Sequence, residues 1–198
     1  MNDAHIIQAI GFAAPLFSAL LSCGMCLAYY LNNSGNGRQK HILLMVFTFI
    51  AASLCWLAPL LLVVSPEMFT KLNPLFFFAL MLDQVLLYNF VFIITGTDTS
   101  RRHFRVINYI IPLVLTATVT VWSLTVPYDV RLEIATGEGL IHPIYTAYSL
   151  VFFSSMPIFC IYNIFYTVLG FYRVSQYRRH VTDFSADSQR TSLQWLYL

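Results

Sequence analysis

The sequence predicts an all-α polytopic membrane protein: five transmembrane helices in a bundle, N-terminus outside, C-terminus cytoplasmic, and the start of a further helix at the C-terminus. Three observations predict it. Five apolar stretches, Ile6–Leu31, Ile42–Val64, Pro74–Gly96, Val106–Val126 and Pro143–Tyr172, each exceed the roughly 20 residues that a helix rising about 1.5 Å per residue needs to cross a bilayer. Within lipid the backbone must satisfy its own hydrogen bonds, so such stretches are helical. Charged residues make up 10% of the 198 and hydrophobic ones 58%, against about 25% charged in ordinary soluble proteins. Finally, Lys and Arg collect on alternate connectors. Arg38 and Lys40 follow the first span, Arg101, Arg102 and Arg105 the third, and Arg173, Arg178, Arg179 and Arg190 the fifth, leaving only Lys71 and Arg131 on the other side. That bias marks the cytoplasmic face. Asp3, Glu67, Asp129, Glu133 and Glu138 lie outside.

The first span has no basic residue before it, only Asp3 and His5, so it reads as an uncleaved helix rather than a signal peptide. Its Cys23 and Cys26 form a Cys-x-x-Cys with no preceding strand and no second pair. With Cys55 and Cys160, also inside spans, they read as small packing residues. Asn33-Ser34-Gly35-Asn36-Gly37 is a turn before the second span.

The third span holds Asp83, the one acidic residue well inside an apolar stretch, beside Gln84, with Tyr88 and Asn89 about a helical turn further on. A charge at bilayer depth costs about 2.5–3.5 kcal/mol on insertion scales, which makes Asp83 a candidate for a polar pocket, ion site or proton-sensitive switch. A protonated or hydrogen-bonded Asp gluing helices together fits the same residues.

Between the fourth and fifth spans, Val130, Leu132 and Ile134 alternate with Arg131 and Glu133 ahead of Thr136-Gly137-Glu138-Gly139. The alternation predicts a short β-hairpin, with an irregular loop as the alternative. In the fifth span Tyr148, Ser155 and Tyr162 recur at heptad spacing, which places them on one helix face. They read either as the lining of a ligand cavity opposite Asp83 and Tyr88 or as an interhelical seam. Pro15, Pro59, Pro112 and Pro157 predict kinks.

After residue 172 the chain continues as a basic juxtamembrane helix, Arg173 to His180, suited to relaying a signal or anchoring on anionic lipid. Asp183-Phe184-Ser185 is expected to break it, with Ser185 as N-cap of a new helix running into Trp195. The division expected is a transmembrane bundle over 1–172 and an amphipathic cytoplasmic tail over 173–198.

Tyr177-Arg178-Arg179, Asp183-Phe184-Ser185 and Ser192-Leu193-Gln194-Trp195-Leu196 resemble the membrane-embedded AraC-type transcription regulators of Gram-negative anaerobes. Thr95-Gly96-Thr97, Asn108-Tyr109-Ile110-Ile111-Pro112 and Val126-Pro127-Tyr128-Asp129-Val130 extend the resemblance from about residue 70 onward. It implies a multi-helix input domain in the bacterial inner membrane, preceding a cytoplasmic helix-turn-helix domain that this chain does not contain. That would make the chain a sensor fragment, a truncated gene product or a stand-alone relative.

No His-Glu-x-x-His, Gly-x-Ser-x-Gly or phosphate-binding Gly-rich loop occurs, and the histidines are scattered, so neither an enzyme, a metal centre nor a cofactor is expected. The net charge of +2 is too small for a nucleic-acid footprint. The expected partners are the lipid bilayer, a small ligand or envelope protein, and a second copy in a homodimer, with no nucleic acid touched by this segment itself. The residues expected to carry function are Asp83, Gln84, Tyr88, Asn89, Tyr148, Ser155 and Tyr162 as the pocket, and Arg173, Arg178, Arg179, Asp183, Ser185 and Trp195 as the relay. A small transporter or ion-conducting protein using Asp83, or a structural subunit of a membrane complex, are the alternatives.

Overall fold

Six helices account for nearly all of the described chain. The computed structural model describes residues 3–32, 40–96, 106–137 and 141–184. They form α1 (Asp3–Asn32), α2 (Lys40–Val64), α3 (Pro66–Ile94), α4 (Ile107–Leu124), α5 (Tyr128–Thr136) and α6 (Thr146–Phe184), with no strand among the described residues. All but α5 are long and apolar enough to cross a membrane. The connectors carrying Arg38, Arg101, Arg102 and Arg105, and the tail carrying Ser185, Arg190 and Trp195, lie outside the described residues.

Helix α3 is the axis of the bundle. It packs against α2, α4, α5 and α6, while α1 lies along α2. The buried side of α3 runs through Phe76, Ala79, Met81 and Val85, of which Met81 and Val85 are 0% exposed. Small residues on α2 (Ala51, Ser53 and Ala58) are buried too, as expected where helices in lipid associate by close backbone approach rather than by hydrophobic transfer. Large apolar side chains on α1, α4 and α6, among them Phe17, Leu124 and Ile161, face outward. Hydroxyls inside the helices bond back onto their own backbone: Thr48 Oγ1 to Leu44 O and Ser53 Oγ to Phe49 O, among others.

The structure departs from the sequence expectation in three places. Helix α3 begins at Pro66, not Pro74. Only Ser65 separates it from α2, and Pro66 at the first helical turn has the fixed φ and missing N–H that this position tolerates. Pro74 therefore lies inside α3.

The second departure is the expected hairpin, which is instead helix α5. Pro127 holds an extended conformation (φ −52°, ψ 144°) just before it, and Asp129 sits in its first turn, where the helix dipole favours an acid. The residues that looked like strand alternation also contain an i, i+4 pair, Val130 and Ile134. That pair packs with Val126 and Tyr148 in a small second core, where Ile134 is 1% exposed.

Lastly, α6 starts at Thr146 rather than at Pro143 and runs unbroken to Phe184, while the restart expected at Ser185 lies outside the described residues. Its start is organised by His142. The Nδ1 of His142 accepts the backbone N–H groups of Ile144 and Tyr145, and the backbone N–H of His142 donates to Ser149 Oγ. These bonds satisfy groups that an uncapped helix start leaves open.

Candidate functional site

The predicted pocket residues divide into separate environments. Asp83 and Gln84 sit midway along α3. Gln84 is buried, and its Nε2 donates to Asp83 Oδ2 at 3.5 Å. The other carboxylate oxygen, Oδ1, is buried without a hydrogen-bond partner among the described residues. No described contact joins Asp83 to Tyr148, Ser155 or Tyr162.

Tyr88 and Asn89, further along α3, belong to a polar network joining three helices. Asn89 Nδ2 donates to Tyr109 Oη on α4. Tyr166 of α6 donates its hydroxyl to Asn108 Oδ1 at 3.3 Å and accepts from Tyr162 Oη at 3.5 Å. The Tyr88 and Tyr166 rings meet at 5.5 Å, and those of Tyr162 and Tyr166 at 4.8 Å. These bonds bind α3, α4 and α6 along one stretch, with polar groups satisfying one another as an apolar surrounding demands.

The heptad line of α6 does not act as one surface. Tyr148 is buried in the α5 core, edge-on to Trp122 at 6.4 Å. Ser155 Oγ donates to Phe152 O within its own helix at 2.7 Å. Tyr162 belongs to the tyrosine network.

At the far end of α6, Arg173 reaches across to α3. Its Nε donates to Thr95 Oγ1 at 2.8 Å, its Nη2 donates to Phe92 O at 3.4 Å, and its guanidinium lies 3.7 Å from the centre of the Phe92 ring. The carbonyls of a helix's last turn lack intrahelical partners and attract cations, so Arg173 both caps α3 and holds α6 to it. Arg178 and Arg179 are exposed one to two turns on, and Asp183 falls in the last turn of α6.

Sequence reasoning overlooked the partners: Thr95, Phe92, Asn108, Tyr109 and His142. The polar Asn108–Tyr109 pair opening an apolar span was a usable signal. The pairing of Arg173 with Thr95 was not, since 78 residues separate them. Among the described residues no three His, Cys, Asp or Glu side chains gather in a metal-holding group.

Among the described residues these features define an all-helical protein with five helices long enough to cross a membrane, three of which, α3, α4 and α6, are joined by a tyrosine–asparagine network and an arginine clamp. No family model, curated protein or solved structure matches the chain.

Proposed function

We propose that the chain is the input domain of a transmembrane signalling protein, a transcription regulator of the membrane-embedded AraC type. It sits in the bacterial inner membrane, with its N-terminus outside and its C-terminus in the cytoplasm. The observation that carries this reading is α6. It is one helix of 39 residues, far longer than the roughly 20 a bilayer crossing needs. Such a helix conducts rotation or translation from within the bundle to whatever follows Phe184. Arg173 couples that movement to α3. A ligand or envelope cue shifts the balance between two helix arrangements by its differential affinity for them.

Asp83 supplies the reason for two arrangements. A buried carboxylate oxygen without a partner is costly, so an arrangement that gives Oδ1 a partner competes with this one. Replacing Asp83 by Asn on the chromosome tests the reading through transcript sequencing. A defined set of genes changing expression at unchanged protein level supports it, and an unaltered transcriptome overturns it.

The same orphan oxygen supports a second reading, a small transporter or ion-conducting protein in which Asp83 holds a proton or cation. Proteoliposome flux abolished by Asp83→Asn supports that reading. Absence of flux in the wild-type protein removes it.

A further inference from the structure

At the end of the bundle opposite the Arg173 clamp, two cations flank one aromatic ring. Lys71 of α3 and Arg131 of α5 each lie 5.8 Å from the centre of the Tyr128 ring. Tyr128 is itself tied across to α3, its hydroxyl donating to Glu67 O at 3.4 Å. Beside them the Tyr148 ring is buried in the α5 core. Lys71 is exposed and Arg131 is half-buried.

The unusual feature is Arg131 Nε. It is buried, and no acceptor meets it among the described residues. Among the described residues neither cation forms an ion pair there, although the acids Glu67, Asp129 and Glu133 are nearby in sequence and exposed. Buried polar groups are almost always hydrogen-bonded, and each exception calls for an explanation. A guanidinium presents its N–H groups in a planar fork that fits two oxygens of one carboxylate or phosphate. An orphan Nε buried beside a second, exposed cation leaves that fork unanswered.

We propose that Arg131 and Lys71, on the platform of Tyr128, form a binding site for an oxyanion of the phosphate or carboxylate class. The Arg131 fork, its Nε shielded in the unliganded conformation, turns outward to take two of the anion's oxygens, and the flexible Lys71 ammonium closes over a third. The anion comes either from a free solute or from an anionic lipid headgroup at the membrane surface. The site stands apart from Asp83 and does not depend on the signalling reading.

The test follows the thermal unfolding of the full chain by tryptophan fluorescence. Trp122 reports locally, because its ring meets Tyr148 beside the site. In a neutral detergent, inorganic phosphate is titrated against sodium chloride of matched ionic strength. In parallel, the protein is placed in nanodiscs of phosphatidylcholine with and without phosphatidylglycerol. A saturable rise of about 5 °C at an excess of roughly a hundredfold over Kd is expected, and it should be lost in both Arg131→Gln and Lys71→Gln. Lys71 is exposed, so its variant folds even where a change at Arg131 disturbs α5.

A rise with phosphate assigns the site to a free oxyanion. A rise with phosphatidylglycerol alone, lost in both variants, assigns it to a lipid headgroup. No rise under either condition, or equal rises in the wild type and the two variants, overturns the proposal.

Discussion

Two arginines at opposite ends of the bundle have met different fates. Arg173 finds everything it needs within the protein: a hydroxyl, a backbone carbonyl and an aromatic face, all on α3. Arg131 finds an aromatic face on Tyr128, while its Nε is buried without an acceptor among the described residues. A cation held by the fold through two nitrogens and its face acts as a fastening. One whose donors are buried and unmet costs stability until something from outside supplies oxygens. The clamp end therefore belongs to the architecture and the α5 end to recognition, and the two are joined through α3 and α6.

Three measurements can break or sharpen that contrast. The largest effect is expected from Ile134→Ala, which empties the centre of the small core under α5. It should cost about 3 kcal/mol, read as a drop in unfolding temperature in detergent. A negligible change would mean that α5 is not docked as a helix on Val126 and Tyr148. Next comes Arg173→Ala, which removes two charge-assisted hydrogen bonds and a stacked cation and should cost about 2 kcal/mol. The smallest effect is expected at the other arginine. Without an anion, Arg131→Gln should leave stability within about 0.5 kcal/mol of wild type, because the lost contact with Tyr128 is offset by removal of a buried, unmet donor. A loss there as large as at Arg173 would erase the difference between the two ends.

The sequence made part of this legible. The five long helices follow from apolar length alone, which is why their number and approximate places agree with the structure. Helix α5 was obscured because Val130, Leu132 and Ile134 satisfy a strand period while Val130 and Ile134 also satisfy a helical one, and only tertiary packing chose between them. The start of α3 was obscured because Pro74 resembles a boundary, although a proline at the first turn of a helix, Pro66, is just as good a marker. Asp83 stood out as an acid in apolar surroundings, but nothing in the sequence said that its bond would go to Gln84 of its own helix rather than to the tyrosines of α6. Arg173 was visible only as one of several juxtamembrane cations. Its partners on α3 emerge only when the two helices lie side by side.

The clamp is the element on which relay through α6 depends, and it can be measured directly. With the four cysteines replaced by alanine, spin labels at the exposed positions Ile93 and Gln176 report the α3–α6 distance by double electron–electron resonance in nanodiscs. A single narrow distribution that broadens in Arg173→Ala is the expected result. A distribution already broad with Arg173 in place, or one unchanged by its removal, would contradict the fastening of α6 to α3.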